Sequence, residues 1–117
     1  MSRKFNVDIS LMIAACKDAI GLLEEMLSDI EQKSAQKYID SCFVFKPKNI
    51  EKALKILNSK SPWSNFHTRR YWYTSRIEML KQVIKICQVT NDQTIVVDGE
   101  EEFLLNILHT YWEKKNA

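Results

Sequence analysis

The sequence predicts an all-α protein: a compact single-domain bundle of four to five mostly antiparallel helices spanning residues 1–117. Three observations carry that expectation. Glycine and proline number only two each in 117 residues, too few for the tight turns of a sandwich or barrel. Apolar residues recur at i, i+3, i+4 spacing over long stretches. The connections between those stretches are short, which sets successive helices antiparallel. A chain of this length supports one real core rather than two. An apolar share of 45% with 27% charged residues excludes a disordered chain.

The first helix rests on Ile9, Met12, Ile13, Cys16, Ala19, Ile20, Leu23, Met26, Leu27 and Ile30, a continuous stripe over about 8–31. Lys17, Asp18, Glu24, Glu25, Ser28 and Asp29 fill the opposite face, and Asp8 or Asn6 suits the N-cap. Ala35, Tyr38, Ile39 and Cys42 keep the spacing. A helix from 8 to 45 would be about 55 Å long, more than one domain of this size holds. The expectation is therefore a break near Gln32–Ser34 and a shorter helix over 34–44, with 41–45 as an extended segment in the alternative.

Pro47 ends that element, because it pushes Lys46 out of the α region. Ile50, Ala53, Leu54 and Leu57 mark a short helix that starts at Pro47 or Asn49 and stops at Asn58. Ser61-Pro62 fits the cap and first position of a further helical turn. From Phe66 a long helix is expected, with Phe66, Tyr73, Ile77, Leu80, Ile84 and Cys87 as its main stripe. Trp72, Met79, Val83 and Ile86 widen that stripe on one side. Residues 89–97 read as a loop ending in the β-branched run Thr94–Val97, a strand without a partner. Asp98 at N-cap with Glu101 at N3 imitates a capping box for the last helix, which Lys114 and Lys115 close.

Charge is divided along the chain. Residues 46–85 hold ten Lys/Arg against two acids, or +8, while the remainder holds seven against thirteen, or −6. The basic middle is interleaved with Trp63, Phe66, Tyr71, Trp72 and Tyr73. Cations follow a phosphate backbone through counterion release, and exposed aromatics stack on unpaired bases. The reading is a non-enzymatic binding module whose middle contacts an acidic partner, with nucleic acid backbone first. The expected contacts are Lys48, Lys52, Lys55, Trp63, Arg69, Arg70, Trp72, Arg76 and Lys81.

Within that set Arg69 and Arg76 are expected at the edge of the apolar face. There a guanidinium needs an internal acid, from 100–102 or from the first helix, or else forms an anion pocket. Arg70 is expected to point outward toward a partner. The alternative is a protein–protein adaptor, accessory subunit or immunity-type inhibitor using the same surface, since Trp, Tyr and Arg dominate interface hot spots. The plainer reading of the lysines is a solvated face that balances acidic neighbours.

Other chemistry finds little support. His67 beside two arginines has the makings of a general base for phosphodiester cleavage, yet no second acid or base accompanies it. The acidic run 98–102 lacks the alternating ligands of a calcium loop. Phosphate-loop, dinucleotide and nucleophile-elbow motifs are absent, so neither a catalytic set, a metal site nor a cofactor is expected. Cys16, Cys42 and Cys87 are odd in number and far apart, which fits a reducing compartment. With no signal-like apolar stretch near the start and no span-length run, a cytoplasmic protein without membrane contact is expected. The opposed charges also admit a homo-oligomer.

Overall fold

The computed structural model describes residues 3–60 and 64–117. The described residues are mostly helical, with one small sheet. In chain order they form β1 (Lys4–Asp8), α1 (Ile9–Ser41), α2 (Ile50–Asn58), α3 (Asn65–Val89), β2 (Thr94–Asp98) and α4 (Glu102–Asn116). Two compact units result, one of Met1–Leu22 with Ile77–Ala117, the other of Leu23–Arg76. The fold is therefore all-α in outline only, and not the clear bundle of four to five helices that the spacing suggests.

The unit built from both ends of the sequence contains the strand pair. The run 94–98 does find a partner: β2 pairs antiparallel with β1, in the register Phe5↔Val97 and Val7↔Ile95. That register puts Phe5, Val7, Ile95 and Val97 on one face, of which Val7 and Val97 are buried. Asn6 and Asp8, expected near a helix cap, are strand residues. The first N–H of α1, on Ile9, donates to the Gln93 carbonyl at 3.0 Å, so the helix leaves the sheet at once. Met12, Ala15 and Cys16 of α1, Ile77, Leu80 and Cys87 of α3 and Leu108 of α4 are the other buried apolar side chains among the described residues of this unit. Lys114 Nζ reaches Asp18 Oδ2 at 3.2 Å, tying α4 to α1.

The last helix starts later than its capping pattern implies. Asp98 closes β2, and its Oδ1 accepts from the Glu100 N–H at 3.0 Å, which makes a turn rather than a cap. The residue at the N-cap is Glu101, which makes no side-chain capping bond. The expected basic close at Lys114 and Lys115 is present.

The continuous unit, Leu23–Arg76, has a small core in which Ala35 of α1, Ala53 and Leu57 of α2 and Phe66 of α3 cluster. Tyr38, Ile39, Ile50 and Leu54 pack around them. Asn49 caps α2 as its position suggests, with Oδ1 accepting from the Lys52 N–H at 2.9 Å. Ser64 does the same for α3, its hydroxyl accepting from the His67 N–H at 3.3 Å. The expected turn at Ser61-Pro62 lies outside the described residues.

No break occurs near Gln32–Ser34. α1 runs unbroken for 33 residues, about 50 Å at the standard rise. One domain could not use such a helix, but here residues 9–22 serve one unit and 23–41 the other. Nothing at 32–34 opposes helix, and the pairs Lys33–Asp29 at 2.9 Å and Gln36–Asp40 at 2.9 Å favour it at i, i+4 spacing. After Ser41 the chain is irregular to Asn49, so 42–45 is neither helix nor strand.

Candidate functional site

The basic stretch is sorted by helical phase. On α3, Arg69, Trp72 and Arg76 stand at i, i+3 and i+7, which is one stripe of a helix. Arg69 and Trp72 are exposed and Arg76 is half-buried. The Arg76 guanidinium lies over the Trp72 ring, 3.6 Å from its centroid. Arg76 Nη1 also donates to the Trp72 carbonyl at 3.1 Å, which holds it there. Trp72 meets Tyr73 edge to face at 4.8 Å. An arginine held over an indole limits the ring's freedom and brings a permanent charge beside it.

Arg69 opens onto a cleft of about 200 Å³ whose other wall is α1: Asp29, Ile30, Lys33, Ser34 and Lys37. Lys33 and Lys37 are four residues apart and so share a face of α1. Asp29 is occupied by Lys33 at 2.9 Å. Three cations against one paired carboxylate leave the cleft net positive, with the Ser34 hydroxyl among them. Such a set offers an anion both charge and directed hydrogen bonds.

Arg70 takes the role expected of Arg69. Instead of pointing outward it is half-buried, with Nε 3.2 Å from Glu31 Oε1 and Nη1 donating to Asn58 Oδ1 at 2.7 Å. The Nε–H finds no hydrogen-bond geometry, so its contact with Glu31 is an ion pair alone. The internal acid therefore does come from α1, but it meets Arg70. The apolar stripe of α3 is the expected one, with Phe66, Ile77, Leu80 and Cys87 buried; what differs is which arginine meets the acid, Arg70 being half-buried and Arg69 exposed.

The remaining sequence-derived residues spread out. Lys48 precedes α2, and Lys52 and Lys55 lie on its exposed side. Lys81 belongs to the other unit and lies 3.8 Å from Glu78 Oε1, an exposed pair on the same helix. Trp63 lies outside the described residues. Lys33 and Lys37 are the site residues that sequence reasoning missed. They sit in a helix with more acids than bases, and only the fold brings them to Arg69.

His67 is half-buried with its ring edge-on to Phe66 at 5.5 Å, and its Nε2 is enclosed without a hydrogen-bond partner. Among the described residues no group of three or more His, Cys, Asp or Glu is placed to hold a metal ion. Nor is any described helix long and apolar enough to cross a membrane. The three thiols are free. Burial pushes the Cys16 thiol up to about 11, with nearby Cys87 adding to the effect. Burial raises Cys87 as well.

Comparison with protein-family models, with curated proteins and with solved structures finds no match to this chain.

Proposed function

We propose that this protein is a non-enzymatic binding module that holds the phosphate backbone of a nucleic acid, largely without regard to sequence. The observation that carries this is the meeting of Arg69 with Lys33 and Lys37 around one cleft, on the same α3 stripe as Trp72 and Arg76. Cations in the cleft suit phosphates, and the braced indole suits a base face. Lys48, Lys52 and Lys55 would extend the positive field, while Arg70 would support the fold from within. The enclosed Nε2 of His67 speaks for binding over cleavage, because a general base must reach the proton it takes.

The test is a fluorescence-anisotropy titration of labelled single- and double-stranded DNA and RNA at low and moderate salt. Binding that weakens steeply with salt and disappears in Lys37→Glu with Arg69→Glu is the expected result. No binding at low salt sinks the proposal.

One observation favours a second reading, an acidic protein as the partner. Tyr71 is 72% exposed beside the exposed Trp72 and Arg69, the residue types that anchor protein interfaces. That reading predicts a stoichiometric protein complex whose affinity is lost mostly at one or two aromatics, with a shallow salt dependence.

A further inference from the structure

The loop between α1 and α2 presents three consecutive apolar side chains to solvent. Phe43 is 100% exposed, Val44 70% and Phe45 95%. Phe45 holds φ at 54°, a left-handed backbone that bulky residues rarely adopt. Residues held in that region gather at functional positions. The loop is anchored at both ends, since Tyr38, Ile39 and Ile50 pack on the Ala35–Phe66 cluster. No acid occurs from Ser41 to Ile50, and Lys46 and Lys48 follow the apolar tip directly.

The unit that contains the strand pair carries the complement. Met79, Val83 and Ile86 of α3, Val96 of β2 and Leu104 of α4 line a groove of about 440 Å³. Ile86 is 58% exposed and Val96 62%. Asp98 and Glu101 also line the groove, so an apolar floor is bordered by carboxylates. The volume lies in the range of ligand-holding clefts, roughly 300–1,000 Å³.

We propose that this groove receives the Phe43-Val44-Phe45 tip of a second copy of the chain. Lys46 and Lys48 of the incoming copy then face Asp98 and Glu101. Apolar tip meets apolar floor, and the flanking charges have opposite sign. A lipid surface would match the tip and its lysines but leave the acid-bordered groove without a role. A small apolar ligand would fill the groove and leave the tip bare. A second copy accounts for both. The contact joins unlike surfaces: a two-fold pair makes it twice and closes, another rotation that closes gives a ring, and one that does not close extends into a chain of copies.

Sedimentation velocity over a concentration series, with the full chain, is the test. The wild-type protein should associate as concentration rises. Phe43→Ser with Phe45→Ser removes the tip, and Ile86→Glu places a charge in the groove. Each change is at an exposed position, so each variant should keep its fold by circular dichroism; Val96→Glu replaces Ile86→Glu if that one unfolds. Each variant alone should raise the concentration needed for association by about tenfold or more. An equal mixture of the tip variant and the groove variant keeps one intact contact and should form a mixed 1:1 complex. A wild type that stays monomeric throughout overturns the proposal, as does association that survives both variants, or a mixture of folded variants that does not associate. Tip-dependent pelleting with phosphatidylserine vesicles in place of self-association would overturn it in favour of a lipid surface.

Discussion

Arg70 Nε stands 3.2 Å from Glu31 Oε1, which ties α3 to α1 inside the unit Leu23–Arg76. The same guanidinium donates to Asn58 at the end of α2, so one side chain joins all three helices of that unit. Arg70→Ala should therefore destabilise the protein by about 1 kcal/mol in urea unfolding, with solvent screening keeping the ion-pair share small. Arg70→Lys should recover little of the loss, because an ammonium cannot serve two partners in a fixed fork. A neutral Arg70→Ala would show that the clamp contributes nothing.

Arg69 is placed differently, and the two neighbours should separate in a binding assay. Arg69→Ala should lower the slope of log affinity against log salt by about one unit on duplex DNA. Arg70→Ala, measured where the protein is fully folded, should leave that slope unchanged. Equal slopes for both variants would show that the cleft does not face the phosphates.

Trp72 beneath Arg76 gives a third expectation. Trp72→Ala should weaken single-stranded binding by about tenfold, as loss of one base stack does, and duplex binding by less. Trp72→Phe should keep part of the affinity, since a ring face remains for both the base and Arg76. Equal losses on single and double strands would show that no base stacks there.

The buried thiol sets a pH dependence. The Cys16 pKa is raised to about 11 in the folded state against an ordinary 9.0, first by burial and then by Cys87. A group whose folded pKa is raised contributes stability that is complete below its unfolded pKa and is lost as pH climbs through the folded one. Thermal stability should thus fall between pH 9 and pH 11, and Cys16→Ala should flatten that decline. At about pH 8 a thiol reagent should label half-buried Cys42 quickly and reach Cys16 only after unfolding. Rapid labelling of three thiols in the folded protein would contradict the burial.

Gly99 lies just past the end of β2, against Arg3. Its N–H donates to the Arg3 carbonyl, and a Cβ built there would meet that same oxygen at 3.0 Å. Gly99→Ala should cost about 1 kcal/mol by denaturant titration, because the obstacle is backbone and cannot swing aside. A stabilised variant would mean that the β1 end shifts freely.

Helix positions are legible in the sequence because they depend on local periodicity. The stripe of Ile50, Ala53, Leu54 and Leu57 places α2, and the Asn49 cap with it. The strand pair is not legible, since Phe5 and Val7 make too short an alternation and their partners lie some ninety positions on. The unbroken α1 escapes because the case for a break assumes one core, whereas two units draw on the helix. The charge division locates the basic region but not its working face. That depends on which part of α1 lies beside α3, where Arg69 opens onto Lys33 and Lys37 while Arg70 turns to Glu31.

The pairing of Lys4 with Asp98 bears on how the protein is made. A ribosome releases Leu23–Arg76 as one uninterrupted stretch, so the Ala35–Phe66 core can assemble while translation continues. β1 emerges ahead of that stretch and waits for β2, its edge exposed until residues 94–98 have been made. The second unit therefore closes last, once β2 and α4 have been made. Any segment that mimics β2 during that interval competes for β1, and β1 is the place where a chaperone would do most good.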